Sequence, residues 1–425
     1  MPDNHAEIAR CIQSILGPDH VTENSTLTID GRIPKLLVSP ACAAEVAACL
    51  KICSQLDTAV IPAGRMGWLD CGNPLRRADI VLNLRRMRRI IDYSPADLTA
   101  TVEAGLPLID FNRLTMKERQ WLPLDPPGFK SASVGAIAAC NSSGALRLGF
   151  GTPRDYVIGL RLAHTDGTES KSGGRVVKNV AGYDLNKIYV GSYGTLAVIT
   201  ELTFKLRPSP ERSATLMITS RDRASLFLLA KTVLASELQP ASVVLTRRLC
   251  PAGVQLPDDA LLIRFVDGEA AVEHQLKWVR ESAGESYAAT LLTEPEAGSA
   301  WSEVADFDQP PIRVRFSLPL SKVPGEFEKV FTVHLECVAC ADIGAGIIRV
   351  AFDADERVVV AEIEKLRANA VAAGGTLVIE KAPAEVRHEA DAWGDIGPTA
   401  RLMKSLKQKF DPQSLLSPGK FVAGI

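Results

Sequence analysis

The residues best suited to building a binding site are glycines, which cluster in three loops of the first half of the chain. The loops read PAGRMGWLDCG (62–72), SASVGAIAACNSSG (131–144) and KNVAGYDLNKIYVGSYGT (178–195). Because glycine has no Cβ, backbone N–H groups beside it can approach an anion closely, and an adjacent helix N-terminus adds partial positive charge. Three such loops that converge could enclose a diphosphate and a flat ring system, although the same glycines would also suit simple turns.

Two common nucleotide-binding motifs are absent from these loops, and one cysteine motif is present elsewhere in the chain. The spacing of the glycines matches neither the compact dinucleotide fingerprint nor the Walker phosphate loop. The chain has one C-x-x-C, formed by Cys337 and Cys340, and a structural zinc site would need a second such pair. We expect two partly buried cysteines on a strand, with a redox or metal role as the alternative.

The first half alternates strands and helices around the glycine loops. The segment LLVSPACAAEVAACLKICSQLDTAVIPAGRMG predicts a strand, a helix, a strand and a loop, with Val46, Leu50 and Cys53 on one helical face. Asp166-Gly167 is a hairpin signal. We also predict strands in ADIVLNL, in DLTATVEAG and over 196–206, a short helix over 107–117, and a helix over 134–139 capped by Ser131 or Ser133.

The second half begins after a proline-containing linker, and its pattern of predicted strands and helices differs from that of the first half. RPSPERS (207–213) contains two prolines and mixed charge. Beyond it, strands are predicted in ATLMITS, ASVVLT, ALLIRFV, IRVRFSL and AGIIRVAFD, and helices in ASLFLLAKTVLASEL, AAVEHQLKWVRESA and ERVVVAEIEKLRANAVAAGG. Strands and helices that alternate without a phosphate loop favour an α+β cap domain.

Composition restricts the class of protein. A chain of 425 residues exceeds one ordinary core, so two domains are expected. The formal net charge of −2 provides no overall field for nucleic acid or an anionic membrane. We expect no signal peptide and no membrane span. Nine cysteines without regular spacing argue against a disulfide framework, and a reducing cytoplasm fits this pattern best.

Two long stretches and the C-terminal tail resemble one protein family. They read DPPGFKSASVGAIAACNSSG, GTPRDYVIGLRLAHTDGTESKSGGRVVKNVAGYDLNKIYVGSYGTLAVITELTFKLRP and KQKFDPQSLLSPGKF. They are similar to the FAD-binding domain of the vanillyl-alcohol oxidase/p-cresol methylhydroxylase (PCMH) flavoprotein superfamily and, within it, to the FAD-binding subunits of bacterial glycolate oxidases. The similarity is strong over about residues 30–208, weak in the second half and clear in the tail.

The resemblance implies an α+β fold with FAD as the cofactor. It places a PCMH-type FAD-binding domain over 1–208, completed by the tail 400–425, and a cap domain of the FAD-linked oxidase type over 209–399. Residues 62–68 resemble the first pyrophosphate loop and 133–144 the second. The residues implied to bind FAD are Pro62, Ala63, Gly64, Arg65, Met66, Gly67, Trp68, Ser133, Val134, Gly135, Ala138, Asn141, Ser143, Gly144, Gly151 and, near the adenine, Gly194 and Ile199.

The sequence departs from the family in two ways. Covalently flavinylated members attach FAD through His or Cys; residues 62–68 contain neither and Cys71 lies just beyond, so we expect non-covalent FAD. Hydroxyacid dehydrogenases of the superfamily carry an HxGDGNxH motif in the cap, whose place is taken here by ADIGAGIIR. Asp342 and Arg349 stand where the histidines would be. A carboxylate and a guanidinium do not suit a transition metal, so no metal is expected.

Oxidation of a 2-hydroxy acid requires a cation for the carboxylate, a base for the hydroxyl proton and flavin N5 to accept hydride. The candidate cations are Arg349, Lys381 and Arg387, each of which would otherwise be a solvated surface charge. The candidate bases are His388 and Glu380. A lone histidine is more often a surface or core residue than a base.

The resemblance implies the FAD-binding subunit of a glycolate (2-hydroxyacid) oxidase or dehydrogenase complex. A second flavoprotein subunit would carry the hydroxyacid site, and an iron–sulfur subunit would take the electrons onward. The chain would be cytoplasmic, with a peripheral location at the membrane through these partners as the alternative. Two alternatives stay open: a stand-alone FAD-dependent oxidoreductase of a small hydroxyacid or alcohol, and a catalytically silent flavin-binding scaffold.

Overall fold

The first half forms two main sheets. The computed structural model describes residues 4–128, 130–174, 183–249, 251, 253–254, 256–306, 311–332, 336–353 and 355–425. The strands of this half are β1 (Val21–Glu23), β2 (Leu36–Val38), β3 (Val60–Ala63), β4 (Ile80–Asn83), β5 (Ile90–Ser94), β6 (Thr99–Glu103), β7 (Gln120–Trp121), β8 (Val157–Ala163), β9 (Glu169–Gly173), β10 (Val198–Lys205) and β11 (Arg207–Pro208). The helices are α1 (Asn4–Leu16), α2 (Ala43–Gln55), α3 (Leu108–Thr115), α4 (Val134–Cys140), α5 (Arg147–Phe150), α6 (Pro153–Tyr156) and α7 (Asn186–Tyr189).

One sheet has the order β1-β2-β4-β3, with β2, β4 and β3 parallel, and the other is antiparallel with the order β5-β6-β10-β8-β9. Helix α2 contributes Val46, Leu50 and Cys53 to a core that both sheets share. The predicted strand–helix–strand unit around α2 and the hairpin at Asp166-Gly167 are confirmed. Ser133, rather than Ser131, caps α4.

The second half is built on one eight-stranded antiparallel sheet. Its strands are β12 (Arg212–Thr219), β13 (Ser242–Arg247), β14 (Asp259–Asp267), β15 (Ala288–Leu291), β16 (Ile312–Ser317), β17 (Cys337–Asp342), β18 (Ile347–Phe352) and β19 (Thr376–Lys381). Its helices are α8 (Arg223–Ala235), α9 (Glu269–Ala283), α10 (Glu294–Asp306), α11 (Val323–Val330), α12 (Glu356–Ala372), α13 (Ala384–Glu389) and α14 (Thr399–Phe410). The sheet order is β15-β12-β14-β13-β17-β18-β16-β19.

The two faces of this sheet differ in character. Helices α8, α9, α11 and α12 cover one face, where Val314, Ile348 and Val350 join the core. Because side chains alternate along a strand, Arg315 and Arg349 project from the opposite face. Mixed helices and antiparallel strands confirm the predicted α+β fold.

The C-terminal tail packs against the first half. The Val60 N–H donates to the Leu415 carbonyl at 2.8 Å, and the Ser417 N–H donates to the Val60 carbonyl at 2.9 Å. In α14, Lys407 Nζ donates to the Thr195 carbonyl at 2.8 Å. The tail is therefore bonded to β3 and to the third glycine loop.

Three details differ from the sequence-based expectations. The linker 207–213 is not irregular throughout: Arg207 and Pro208 pair with β7, and the segment ends inside β12. Helices α10 and α14 and strand β19 were not predicted. Cys337 and Cys340 are fully rather than partly buried, and they lie in cores on opposite faces of the sheet. Two thiols that point to opposite faces cannot share one metal ion or form a disulfide with each other.

Within the described residues, none of the helices combines the length and the apolar character that crossing a bilayer requires.

Candidate active site

A cleft, called here the glycine cleft, lies where the three glycine loops meet. Its walls also include Leu84 and Ala104, and the tail adds Ser417 and Lys420. Of the residues implied to bind FAD, those that line the glycine cleft are Pro62, Ala63, Gly64, Arg65, Met66, Gly67, Trp68, Ser133, Gly135, Gly194 and Ile199.

The first loop offers free backbone donors to this cleft. The N–H groups of residues 65–68 make no hydrogen bond to any described residue. Met66 adopts the left-handed conformation, with a φ of 63°, so the loop turns sharply after β3. Unpaired N–H groups along one wall form a concavity that suits an anion.

The first two loops touch at Gly64. A Cβ added at Gly64 would lie 2.0 Å from Ser133 Oγ, so only glycine fits this approach. At the start of α4, the N–H groups of Val134 and Gly135 already donate to the carbonyls of Leu106 and Ala104. The first loop, rather than the start of α4, therefore supplies the free donors.

The third loop is fixed to the far end of α4. The N–H groups of Gly191 and Tyr193 donate to the carbonyls of Ala138 and Ala139 at 3.0 and 2.9 Å. Gly194 follows with a φ of 67°, and it lines the glycine cleft. The opening of this loop, 178–182, lies outside the described residues.

The other residues implied to bind FAD do not line the glycine cleft. Val134 and Ala138 are buried in the core, the Gly144 N–H donates to Asp125 Oδ1 at 3.1 Å, and Gly151 ends α5. Asn141 and Ser143 line a neighbouring cleft. The roles of all these residues in cofactor binding stay predictions.

The neighbouring cleft, called here the arginine cleft, adjoins the glycine cleft. The two share Trp68, Cys140 and Tyr193 as lining residues. The charged residues that line the arginine cleft are Arg147, Arg154, Arg313, Arg315, Arg349 and one carboxylate, Glu380.

Strand alternation brings part of this cluster together. Arg315 of β16 lies directly opposite Arg349 of β18, and Glu380 of the neighbouring β19 projects from the same face. Like charges placed directly opposite in a sheet destabilise it. The placement of Arg315 opposite Arg349 is therefore unfavourable unless an anion lies close to both guanidinium groups.

Glu380 is the anion that the protein itself supplies. Its carboxylate oxygens lie 3.1 Å from Arg313 Nε, 2.9 Å from Arg315 Nε and 3.3 Å from Arg349 Nε. Burial alone would raise the pKa of Glu380, but Arg349, Arg313 and Arg315 together hold that pKa at about 2. Glu380 is therefore ionised at neutral pH and too weak a base to accept a hydroxyl proton.

Asp342 lies on the same face of the sheet as Arg349, but its pKa is shifted in the opposite direction from that of Glu380. Asp342 is 3% exposed, and among the described residues its carboxyl group has only the nearby Ala345 N–H, outside standard hydrogen-bond geometry, to stabilise its charge by hydrogen bonding. Burial raises the pKa of Asp342 to about 7, against the opposing effect of Arg349 and Arg147. A carboxyl group of this pKa can both accept and release a proton near neutral pH.

The predicted catalytic candidates separate into two groups. Arg349 and Arg387 are 4% and 3% exposed, so the alternative that they are solvated surface charges is wrong. Arg387 Nη2 pairs with Asp30 at 2.6 Å and lines neither cleft. Lys381 and His388 are exposed and also line neither cleft. Of the four, the structure brings only Arg349 to the cleft.

Sequence reasoning missed most of the arginine cleft. Arg147, Arg154, Arg313, Arg315 and Lys420 were not singled out, yet all five line one of the two clefts. The segment IRVRF carried a usable signal, because charged residues that alternate with apolar ones in a strand must share a face. Arg147 and Arg154 lie on short helices, where no such periodicity helps.

The thiols near the clefts are in their protonated form. Burial, with a smaller effect of Asp70, raises the pKa of Cys71 to about 12, and burial also raises the pKa of Cys140. The thiolate is the nucleophilic form, so neither cysteine is activated for covalent attachment. Non-covalent FAD stays a prediction.

Among the described residues, no group of three or more His, Cys, Asp or Glu side chains could hold a metal ion.

Comparison with known proteins places these clefts in context. Residues 34–173 match the FAD binding domain family. Over 421 residues the chain is 27% identical to "Glycolate oxidase subunit GlcD" of Bacillus subtilis, which covers 92% of this chain and 89% of that protein. It is 34% identical to "Glycolate oxidase subunit GlcE" of Escherichia coli over 58% of this chain and 66% of that protein.

More distant relatives extend the comparison. A mitochondrial "D-lactate dehydrogenase [cytochrome]" of Arabidopsis thaliana is 28% identical over 62% of this chain, which spans about half (48%) of that protein. Among solved structures, p-cresol methylhydroxylase with substrate bound superposes with a TM-score of 0.76, covering 99% of this chain and 97% of that one, at 16% identity. At that identity the superposition shows a shared fold.

The glycine cleft suits FAD in three respects. The free N–H groups of 65–68 can bind the diphosphate. Apolar side chains such as Leu84 and Ile199 provide a lining for flat rings. Lys420, buried and with its Nζ 3.3 Å from Asp30 Oδ2, adds a positive charge to the wall.

Proposed function

The chain belongs to the FAD-dependent oxidoreductases with a PCMH-type FAD-binding domain, and from this premise we propose that it oxidises a 2-hydroxy acid where its two clefts meet. The observation that carries the proposal is that the two clefts adjoin and share Trp68, Cys140 and Tyr193 as lining residues. A cleft rich in arginine beside a cofactor cleft suits a small carboxylate substrate. The names of the relatives, which include glycolate oxidase subunits and D-lactate dehydrogenases, support the same substrate class.

In this proposal Arg315 and Arg349 bind the carboxylate of the substrate. Each already contacts Glu380 through Nε, which orients the rest of the guanidinium group. Arg349 Nη2 also donates to the Ser143 carbonyl at 3.0 Å, which fixes it against the second glycine loop. Paired guanidinium groups on rigid strands bind a carboxylate with defined geometry.

Two further side chains bear on proton handling. Asp342 has a pKa near neutrality, but it is buried and lines neither cleft, so it is not assigned as the base for the substrate hydroxyl proton. The pKa of Tyr193 is raised well above its usual value by burial, so its hydroxyl stays protonated and cannot act as a phenolate base, although it can donate a hydrogen bond. FAD, when bound, supplies the hydride acceptor for the substrate carbon.

We infer the domain division from the two cores. One buried cluster contains residues from Ile8 to Leu206 together with Leu416, and another contains residues from Ala214 to Ala392. This supports an FAD-binding domain over 1–208 with 400–425 and a cap domain over 209–399. The arginine cleft takes lining residues from both sides of this division.

We also propose that the chain works in a complex with a second flavoprotein subunit and an iron–sulfur subunit. Two relatives are named as subunits, which supports the proposal. Co-purification from the native host should recover the partners. A chain that elutes alone and oxidises glycolate at full rate would leave the stand-alone oxidoreductase as the better description.

The activity is tested on the purified, FAD-loaded chain with glycolate and D-lactate and an artificial electron acceptor. Arg349→Met should lower kcat/KM by about 100-fold, because a desolvated charge contact is lost. Lys381→Met, an exposed neighbour on β19, should have no effect. Bound FAD that no 2-hydroxy acid reduces, in the chain or in its complex, would favour the silent scaffold.

Acid precipitation tests how the flavin is attached. It should release the flavin into the supernatant, and a yellow pellet would contradict non-covalent binding.

A further inference from the structure

The charge of the arginine cleft exceeds what a single carboxylate can neutralise. Five guanidinium groups line it against one carboxylate, Glu380. Three more carboxyl groups and one more guanidinium group interact with this cluster: Asp342 and Asp125 with Arg349, Asp155 with Arg147, and Arg264 with Asp125. Burial raises the pKa of Asp125 to about 6. Even if all four carboxyl groups were ionised, the six guanidinium groups would outnumber them by two.

Two of the five arginines have no hydrogen-bond or ion-pair partner in the part of the chain that the structure describes. The guanidinium groups of Arg147 and Arg154 make no hydrogen bond or ion pair with the described residues, whereas the other three all contact Glu380. Arg147 is half-buried, and burial together with Arg315 and Arg349 lowers its pKa. Its charged neighbours include Arg315 and Arg349, which repel it, and the carboxyl groups of Asp342 and Asp155, which attract it.

The backbone holds both unpartnered arginines in place beside the second glycine loop. Arg147 begins α5, and its N–H donates to the Gly144 carbonyl at 3.3 Å. Arg154 lies in α6, and its N–H donates to Asn141 Oδ1 at 3.2 Å. These two side chains reach the cleft from the first half of the chain, whereas Arg315 and Arg349 reach it from the sheet of the second half.

We propose that the substrate is a 2-hydroxy acid with a second anionic group, a carboxylate or a phosphate, and that Arg147 and Arg154 bind this second group. This inference rests on the proposed function and names the substrate class of the same cleft. Arg315 and Arg349 would bind the carboxylate next to the reacting carbon. A monoanion such as glycolate would leave the half-buried Arg147 without an anion in contact, which costs free energy, whereas water stabilises the exposed Arg154.

The first test compares matched substrates on the FAD-loaded protein. Lactate is paired with malate, and glycerate with 3-phosphoglycerate, so that each pair differs by one added carboxylate or phosphate. Rates of flavin reduction are measured anaerobically over a range of concentrations. We expect the dianion of at least one pair to react with a kcat/KM at least about tenfold higher, which equals about 1.4 kcal/mol. The pair that shows the preference identifies the second group. Equal or better reaction of both monoanions would overturn the proposal.

The second test assigns the preference to residues. Arg147→Gln and Arg154→Gln should each reduce the ratio of dianion to monoanion kcat/KM toward one, and Arg147→Lys should restore part of it. Arg88→Gln, an exposed arginine that lines neither cleft, serves as the control and should leave the ratio unchanged. A ratio that stays high in Arg147→Gln and in Arg154→Gln would show that the two arginines do not bind the second group.

A binding measurement separates this inference from the proposed function. Succinate, inorganic phosphate and acetate cannot be oxidised, but each can perturb the visible spectrum of bound flavin. Tighter binding of succinate or phosphate than of acetate, lost in Arg147→Gln, would support the inference even if no hydroxy acid reduced the flavin. Oxidation of glycolate together with equal affinity for all three anions would support the proposed function and overturn the inference.

Discussion

At the scale of single residues, Glu380 keeps three arginines together on one face of a sheet. Its folded-state pKa of about 2 lies below the usual 4.5. It therefore contributes stability that is fully present above about pH 4.5 and is lost as the pH falls toward 2. Glu380→Gln should lower the free energy of unfolding by about 3 kcal/mol at pH 7. Urea titrations at pH 7 and pH 3 should show a much smaller difference from wild type at pH 3. An equal difference at both pH values would contradict this pairing.

Asp342 should show the opposite dependence on pH. Its folded-state pKa is raised to about 7 from 3.8, by burial more than by any other cause. Its contribution to stability is therefore full below about pH 3.8 and is lost as the pH rises through 7. An asparagine at this position cannot ionise, so Asp342→Asn removes this pH-dependent decrease in stability. The difference between the melting temperatures of the variant and of wild type should therefore increase, in favour of the variant, from pH 5 to pH 8. A relative melting temperature that falls over this range would show that Arg349 and Arg147 stabilise the carboxylate more than burial destabilises it.

The glycine loops could be predicted from the sequence, whereas most of the arginine cleft could not, because its residues are brought together only by folding. The glycine loops are contiguous in the sequence, so 62–68 could be assigned as a unit. The arginine cleft is assembled from α5, α6, β16, β18 and β19, which are far apart in the sequence. Arg349 was singled out only because of the motif that it interrupts. Its partner Glu380 was considered as a base, a role that the three surrounding arginines exclude.

At the scale of elements, the contact of the first loop with α4 should control cofactor affinity. Gly64→Ala would place a Cβ 2.0 Å from Ser133 Oγ, so either the loop or the helix cap must move. We expect FAD affinity to fall at least tenfold, because the N–H groups of 65–68 would no longer be in place; tenfold corresponds to about 1.4 kcal/mol. Fluorescence titration of the apoprotein with FAD measures this change.

The matched control for this substitution is Gly298→Ala. Gly298 lies in α10, and an added Cβ there would meet nothing within 4 Å. Its FAD affinity should equal that of wild type. Unchanged affinity in Gly64→Ala would mean that the loop can shift without loss of the diphosphate site.

Elements were predicted well where their pattern is local. The helix α2 and the strands β3 and β10 have clear periodicity and stable flanks, and they appear as expected. Helix α14 was missed although Met403, Leu406 and Phe410 recur at helical spacing in its sequence. Its buried Lys407, which pairs with Asp411 at 2.7 Å, could not be predicted, because a buried ion pair of this kind is set by tertiary contacts.

At the scale of the whole molecule, a buried ion network joins three distant segments. Asp30 accepts Arg387 Nη2 at 2.6 Å and Lys420 Nζ at 3.3 Å, and Arg387 Nη1 donates to the Gly72 carbonyl at 2.9 Å. Arg387→Met leaves the buried Asp30 with one cation fewer, so the free energy of unfolding should fall by about 3 kcal/mol. Urea denaturation measures this change.

Lys381→Met is the matched control for the network, because Lys381 is an exposed cation six residues earlier in the chain. It should unfold like wild type. If Arg387→Met also unfolded like wild type, the network would not stabilise the contact between the tail, the first half and the segment around α13.

The central claim is that FAD in the glycine cleft faces a carboxylate site made by Arg315 and Arg349. An experimental structure of the FAD-loaded protein with oxalate, which resembles glycolate but has no C–H bond to give up a hydride, tests this claim most directly. The account predicts the diphosphate along the N–H groups of 65–68, the flavin ring beside Tyr193, and an oxalate carboxylate within hydrogen-bond distance of Arg315 or Arg349. A flavin bound outside the glycine cleft, or oxalate bound away from both arginines, would contradict it.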